Sequence, residues 1–595
     1  MKSEEKQCQN CKQKFAIEPE DFDFYEKINV PPPTFCPDCR LQRRLVFRNE
    51  LSLYKRKCDL CQKEIISMFR PDAPFTVYCP PCWYSDKWDP LSYGVDYDPS
   101  RPFLQQFYEL MGRVPLNALN NFYDTLVNSD YTNFVSYLKN CYLLFNSDYN
   151  ENCFYGVEIE SSKDCYNNLA INSCELSAND VNCQKCQRTF YSIDCEASHN
   201  VWFSKNLSGC SNCFGCVNLR NKQYCMFNEQ LTKEEYEQRL SEFKTSSHAE
   251  VEKLIQQARK LWSQNPVKFI HGRFNTNVSG DYIYHSKDVR DTYIATEAQN
   301  CRYCLWLLVK PMKDCWDTTE YGDGMERVYD SVTIGNGATD VRFSFLCARN
   351  VLDVDYSFLC YGGSHMFGSV SLRKKEYCIL NKEYSPEDYA KLKAQIINDT
   401  KERPYTDKKG RQYTYGEMFP IELSPFAYNE TSAQQFFPLN EQETKEQGYI
   451  WLAPSTKDYK IDIKAPELPG TTEETPDDIT QKTIGCLHEG KCQEQCTTAF
   501  RILPQELRFY KQFKLPMPRL CPNCRHYERL AQRNSLKLQH RVCQCSGKTS
   551  ENGTYNNTAT HFHGSEKCPN EFETTYSLNS PEIVYCEECY QQEVV

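Results

Sequence analysis

The stretch NCYLLFNSDYNENCFYGVEIESSKDCYNN, residues 140–168, decides the fold. Asn140-Cys141, Asn152-Cys153 and Asp164-Cys165 recur at one constant step, each followed by an aromatic residue: Tyr142, Phe154 and Tyr166. Asx-Cys steps continue at Asn182-Cys183, Asp194-Cys195 and Asn212-Cys213, with Tyr191 and Phe214 among them, and NSDY occurs at both Asn128 and Asn146. Asn and Asp cap tight turns by bonding nearby backbone amides, and a free Cys packs as a small hydrophobe. Short strands turned by Asx, stacked on small and aromatic side chains, predict a β-solenoid from about 128 to 225. The later steps depart from the first ones, so the coil length stays open.

A second arm follows. FGCVNLRNKQYCMFNEQLTKEEY from Phe214 matches FGSVSLRKKEYCILNKEYSPEDY from Phe367, with Gly215, Leu219, Arg220, Tyr224, Cys225 and Asn228 identical at the corresponding positions of the later copy. Each copy runs into a helix signalled by a cap, Thr232 with Glu235 and Ser385 with Asp388. The second arm has fewer cysteines and more Val, Tyr and Ile, which suggests that arm cysteines are there to pack. GTTEETPDDITQ, 470–481, reads as a polar linker.

The chain of 595 residues is too long for one core, and 40% hydrophobic with 25% charged residues marks it as globular. A net charge of −11 excludes a basic nucleic-acid wrapper, so any such contact falls to local patches. MKSEEKQCQN has no apolar core for a secretory signal, and no stretch is apolar for long enough to span a membrane as a helix. A reducing cytoplasm is therefore expected, where 35 cysteines stay free or bind metal.

The two ends copy each other. Cys8-x2-Cys11, Cys36-x2-Cys39, Cys58-x2-Cys61 and Cys79-x2-Cys82 place four CxxC pairs in close succession at the N-terminal end. Two pairs supply the four thiolates of one tetrahedral zinc site. Sequential pairing gives Cys8, Cys11, Cys36 and Cys39, then Cys58, Cys61, Cys79 and Cys82; spacing leaves a cross-braced pairing open. CKQKFAIEPEDFDFYEKINVPPPTFCPDCR from Cys11 aligns without a gap with CTTAFRILPQELRFYKQFKLPMPRLCPNCR from Cys496. The third expected site is Cys492, Cys496, Cys521 and Cys524. PFTVYCPPC ending at Cys82 matches PEIVYCEEC ending at Cys589, and Cys61 matches Cys568, but Ser565 stands where Cys58 would be. The fourth site is thus Cys568, Cys586 and Cys589 plus Cys543, Cys545, His561 or His563, with Cys545 favoured. About four Zn²⁺ per chain are expected.

The pattern Cys-x2-Cys, Phe, acidic-Phe-Tyr, Pro, Cys-x2-Cys-Arg resembles the probable zinc-ribbon domain family of bacterial proteins, over a short segment at each end. The whole layout is similar to large uncharacterised zinc-ribbon proteins of candidate-phyla bacteria. The resemblance implies zinc binding and carries no established activity.

Cys183-x2-Cys186, Cys210-x2-Cys213-x2-Cys216 and Cys301-x2-Cys304 read as stacked core cysteines rather than clusters, since no Cys-Pro completes an iron–sulfur run. No Cys–His nucleophile motif is present; His199 and His365 read as turn or core residues. Asp148, Glu158, Glu160 and Asp164 are carboxylates that a solenoid carbohydrate-active enzyme would use, weighed against plain turn residues. No catalytic residue is assigned.

Arg40, Arg44 and Arg48 follow Cys39, and Arg525, Arg529 and Arg533 follow Cys524 at equivalent positions. A step of four places each set on one helix stripe, with Arg43, Lys55, Arg56 and Lys57, and Lys537, His540 and Arg541, extending the patches. Such stripes would grip phosphate of RNA or single-stranded DNA, with Trp83 and Trp88 for stacking. The competing reading packs them on carboxylates of their own domain, such as Glu20, Asp21 and Asp23.

The expected architecture is mostly β with small α: zinc knuckle modules at 1–50 and 51–100, a Cys/Asn-rich β-solenoid arm at 101–230, a helical connector at 231–270, a second arm with a terminal helix at 271–400, an irregular segment and linker at 401–485, and zinc knuckle modules at 486–535 and 536–595. The expected function is a non-catalytic scaffold or adaptor for a protein partner, with nucleic-acid binding and a solenoid enzyme as the alternatives.

Overall fold

The computed structural model describes residues 2–453 and 459–595. Residues 454–458 of the expected linker lie outside the described residues. The chain is mostly β, with 33% strand against 23% helix. The segments assemble into two compact units that are interleaved in sequence. One comprises residues up to 119, 270–453 and 536–538; the other comprises 120–269, 459–535 and 539–595. The N-terminal modules therefore share a unit with the second arm, and the C-terminal modules share one with the first.

The first arm is a parallel β-solenoid with a uniform coil. Thr132 pairs with Leu144, Phe145 with Val157, Ile159 with Ile171, Thr189 with Val201 and Cys213 with Cys225, always at the interval of the Asx-Cys repeat. Every third residue is left-handed: Asn140, Leu143, Asn146, Tyr149, Asn152 and Tyr155 have φ between 48° and 58°. Four such corners close one coil. At the corners, side-chain amides run in ladders, Asn140 Nδ2 to Asn152 Oδ1 at 3.2 Å and Asn152 Nδ2 to Asp164 Oδ1 at 2.8 Å. Asn and Asp are among the few residues that tolerate this conformation cheaply. Tyr155 and Leu143 tolerate it because the coils above and below fix the backbone.

The residue after each corner points into the lumen: Cys141, Leu144, Ser147, Asn150 and Cys153 are all buried. The eleven cysteines of this arm, from Cys141 to Cys225, all fall on this three-residue grid. The longer and shorter steps that interrupt the even Cys repeat are shifts between faces of one regular coil. Cys suits the lumen because it is small and carries a weak donor. Cys153 Sγ donates to Ser162 O at 3.4 Å, and Cys186 Sγ to Cys195 O at 3.4 Å, each nine positions on. Ser fills the complementary need, accepting an amide one coil later, as Ser147 Oγ does from Ile159 N at 2.9 Å. Burial pushes the thiols of Cys165, Cys304 and Cys360 far up, which keeps them neutral. The aromatic residues form an outer column rather than a lumen stack, with Phe154 and Tyr166 rings 4.9 Å apart and nearly parallel.

The second arm keeps the corner rule with uneven coils. Thr276 pairs with Lys287, Cys301 with Cys315, Cys315 with Val328 and Met366 with Cys378, so the coil length changes from one turn to the next. Its lumen holds Ile283, Val289, Leu307, Ile334, Val354 and Leu372, together with six cysteines.

Both arms end in the same device. Asn228 Oδ1 accepts from Val217 N at 2.8 Å while its Nδ2 donates to Val217 O at 3.0 Å. Asn381 does the same to Val370, at 2.7 and 2.8 Å. Each side chain thus acts as one more rung for backbone groups that have no further coil to pair with. The helices Lys233–Ser241 and Pro386–Glu402 follow, with Thr232 and Ser385 as the expected caps.

The described residues of 401–453 and 459–485 hold only short elements after the helix ending at Glu402, and they are packed rather than loose. Met418, Phe419 and Tyr428 are buried in the first unit, and Ile479, within the stretch read as a linker, is buried in the second.

Replacing the fully buried Asn381 by Ala strands an amide and a carbonyl and is expected to cost about 2 kcal/mol. The half-buried Asn228→Ala should cost about 1 kcal/mol. Urea unfolding followed by circular dichroism measures both.

Candidate metal centres and their arginine clamps

The four modules share one local design. A short hairpin presents the first knuckle: Glu4–Gln7 pairs with Lys14–Ile17, and Tyr54–Lys57 with Glu64–Ser67. A left-handed Lys12 or Gln62 closes the loop that carries the cysteines. The second knuckle opens a helix, with Cys36, Cys79, Cys521 and Cys586 each at the N-cap. Proline at the next position of the first three pre-sets the helical turn. A cysteine there sits among unpaired amides at the positive end of the helix dipole, which favours thiolate. The first cysteine of three modules also accepts an amide: Cys58 Sγ from Cys79 N, Cys486 Sγ from Cys521 N and Cys543 Sγ from Cys586 N, all at 3.2 Å.

The thiols meet at metal-ligand separations. Cys11 and Cys36 sulfurs are 3.7 Å apart, Cys61 and Cys79 3.9 Å, Cys521 and Cys524 3.5 Å, and Cys568 and Cys586 3.8 Å. A tetrahedral ion with sulfur at about 2.3 Å requires sulfurs about 3.8 Å apart. A disulfide would bring them to about 2 Å, and all these cysteines are free. The donor sets fit a four-coordinate metal ion.

Two sites have the expected members: Cys8, Cys11, Cys36 and Cys39, and Cys58, Cys61, Cys79 and Cys82. Two differ. The third group is Cys486, Cys496, Cys521 and Cys524, so Cys486 holds the place given to Cys492. Cys492 lies at its edge, with its sulfur 3.7 Å from that of Cys524. The fourth group is Cys543, Cys568, Cys586 and Cys589, so Cys543 takes the place given to Cys545, which gathers instead with His561, His563 and Cys589. The cause is the same in both. Cys8 and Cys11 are near neighbours in sequence, whereas Cys486 and Cys496 stand further apart and Cys543 and Cys568 further still. An insert inside the knuckle carries the first cysteine upstream of its gapless position. The strand before it was the available signal: Ile484–Gly485 pairs with Ala499–Phe500, as Glu4–Gln7 does with Lys14–Ile17.

The arginine stripes face inward, which corrects the phosphate-gripping expectation. In the first unit, Arg40 Nε donates to Asp317 at 2.9 Å, and Arg44 Nη1 to Asp317 at 2.9 Å and Asp330 at 3.3 Å. Arg43 bonds Glu417 at 2.8 Å and Asp330 at 2.6 Å; Arg48 pairs with Glu50 and Glu320. These arginine side chains are at most 1% exposed, so no nucleic acid reaches them. Three of these acids come from left-handed corners of the second arm: Asp317, Glu320 and Asp330 have φ of 51°, 68° and 39°. Asp21, expected as a partner, instead takes Arg302 of the arm at 2.7 Å, and Phe24 stacks on Trp316 at 4.3 Å. Trp83 is fully buried, which removes it as a stacking platform.

The second unit repeats this with fewer acids. Arg525 bonds Glu506 at 3.1 Å and Asn167 at 2.8 Å, and its guanidinium lies over Tyr155. Arg533 grips Glu158 with two bonds, at 3.1 and 2.9 Å. Arg529 donates to Tyr155 O at 3.2 Å, and burial followed by the neighbouring Arg525 lowers it to about 9. Phe509 meets Tyr166 at 4.2 Å, where Phe24 meets Trp316 in the other unit.

Of the four candidate carboxylates, Glu158 is committed to Arg533 and Asp164 to the Asn ladder. Asp148 and Glu160 are paired rungs of one outer column. Burial, then the adjacent Asp148, raises Glu160 to about 7. Beside them Tyr137 and Tyr149 are stacked at 4.6 Å and exposed by 51% and 57%.

No family model and no curated protein matches the chain. Among solved structures, a chain from Desulfovibrio desulfuricans described as a "putative acetyltransferase" is similar at 9% identity and a TM-score of 0.10, over 47% of this chain and 74% of that one. Similarity at that level carries no argument about fold or activity.

Arg44→Ala would leave Asp317 with Arg40 alone and Asp330 with Arg43 alone and is expected to cost about 3 kcal/mol in guanidinium unfolding, where an exposed stripe would lose almost nothing. Glu160 binds its proton more tightly folded than unfolded, so stability falls as pH rises from about 4.5 through about 7. Glu160→Gln should therefore raise the melting temperature at pH 8 and leave it nearly unchanged at pH 4.5, by calorimetry at both values.

Proposed function

We propose that this chain is a non-catalytic, zinc-dependent scaffold of the cytoplasm that offers the open face of a solenoid arm to a protein partner. The observation that carries this reading is the enclosure of the module chemistry. Each four-thiol group is complete, with no position left for water or substrate, which is the mark of a structural rather than a catalytic ion. All-sulfur tetrahedral sets favour zinc among the common ions. A zinc-ribbon identity for the modules agrees with the paired knuckles, and free thiols throughout suit a reducing compartment.

With the arginine stripes occupied by solenoid carboxylates, an exposed aromatic pair on the first arm, Tyr137 stacked on Tyr149, stands beside Asp148 and Glu160. Aromatic rings next to acids make a surface for a basic, partly apolar protein segment. The same four residues favour a second reading, a carbohydrate site with ring stacking and a raised carboxyl group.

The test compares wild-type chain with Tyr137→Ser/Tyr149→Ser in nuclease-treated pull-downs from the native host. Wild type and double variant should fold alike, and the double variant should lose at least about tenfold of a specific captured protein. Capture that survives both changes overturns this surface. Material lost only on nuclease treatment would restore the nucleic-acid reading, and glycan retention without a protein would favour the second one.

A further inference from the structure

The insert between Cys543 and Cys568, QCSGKTSENGTYNNTATHFHGSEK, has Tyr555 and Phe562 as its only large apolar residues, and Phe562 is 50% exposed. Such a stretch buries too little to order itself. Three of its side chains nevertheless converge on one point. Cys545, His561, His563 and Cys589 offer ligand atoms all within 4.8 Å of one another. Cys545 Sγ lies 2.9 Å from His561 Nδ1, and His563 Nε2 lies 3.2 Å from Cys589 Sγ. Cys589 also belongs to the four-thiol group with Cys543, Cys568 and Cys586.

The surroundings fix which nitrogen each histidine offers. His561 Nε2 lies 3.2 Å from the Glu593 carboxylate, and both side chains are fully buried. Glu593 is itself held by Tyr555 OH at 2.8 Å, Thr558 N at 2.7 Å and Ala559 N at 3.1 Å. His563 Nδ1 donates to Glu566 O at 2.7 Å. His561 is therefore set to ligate through Nδ1 and His563 through Nε2, each oriented by the bond at its other nitrogen, as metal-bound histidines are. Asn557 Nδ2 donates to Cys545 Sγ and Asn570 Nδ2 to Cys586 Sγ, both at 3.3 Å, which draws charge off the sulfurs.

Seven ligands exceed what one tetrahedral ion accepts. We propose that the last module binds two divalent, zinc-like ions bridged by the Cys589 thiolate: one held by Cys543, Cys568, Cys586 and Cys589, the other by Cys545, His561, His563 and Cys589. Five thiolates then balance two dications to a net −1, against −2 for an isolated four-thiolate site. The second ion does for the insert what apolar burial does elsewhere: it ties residues 545, 561 and 563 to the C-terminal helix Glu587–Val594. The chain holds five ions, one for each of three modules and two for the fourth.

This inference rests on the metal reading of the modules, and the experiment separates the two. Native mass spectrometry of full-length chain purified without chelator should count five ions. Exchange with ¹¹³Cd should give two resonances split by mutual coupling through the shared sulfur. His561→Ala should lose one ion and abolish the splitting while the other four ions remain. A wild-type count of zero overturns the metal reading as a whole. A wild-type count of four overturns the second site alone, and five ions without splitting overturn the bridge. Because His561→Ala can loosen the insert, the wild-type count and splitting decide the matter.

Discussion

A left-handed corner, at every third residue in the first arm and at less even steps in the second, is the constraint from which the rest of both arms follows. Such corners let a chain of L-residues turn four times in each coil. Each corner sends the next residue inward and holds its own side chain outward, in line with its neighbours one coil away. The inward position is narrow, so it takes Cys, Ser, Ala, Val or Leu, and it contains backbone groups that need partners, so thiols and hydroxyls recur there. The outward position forms columns, and a column of Asx makes amide ladders such as Asn140–Asn152–Asp164. Where the second arm places Asp317 and Asp330 one coil apart in such a column, a ready line of carboxylates results.

The terminal modules exploit that line. A helix whose N-cap cysteine belongs to a four-thiol group that could hold a metal ion has its first turn anchored in that group, so the arginines behind it arrive with little freedom left to lose. Burying guanidinium and carboxylate together is expensive unless every donor is used. Arg44 meets this demand with Asp317, Asp330, Thr319 and the Tyr303 carbonyl. The second unit meets Arg525 with Asn167, a tyrosine ring and Glu506, meets Arg533 with Glu158, and gives Arg529 the Tyr155 carbonyl. Such pairs specify where a module sits more than they add to net stability.

Much of this was legible in the residues. The Asx-Cys steps announced the solenoid, the match between Phe214 and Phe367 announced its second arm, and the CxxC pairs named two metal groups in full. What stayed hidden had physical reasons. Cysteines on different faces of one coil are separated by multiples of three, so a search for a single full-coil step sees irregularity at Cys174, Cys183 and Cys186. Knuckle inserts are free to grow because both ends of the loop are pinned by the ion, so gapless matching pointed to Cys492 and Cys545 instead of Cys486 and Cys543. Arg40 and Arg44, and Arg525 and Arg529, share a helix as expected, while Arg48 and Arg533 lie past the helix ends; the carboxylates Asp317 and Asp330 lie far along the chain, a distance no local pattern spans, with Arg44 and Asp317 separated by 273 positions.

That separation also orders events during synthesis. At about 5–20 residues per second, Asp317 leaves the ribosome about 15–55 s after Arg44. For nearly all of that interval the N-terminal knuckles can form, but Arg44 has none of Tyr303, Asp317, Thr319 and Asp330 to bind. The first arm, lying between them in sequence, is complete before Asp317 appears. Because each unit borrows its closing piece from a distant part of the chain, a break within either arm frees two fragments of which neither holds a complete unit.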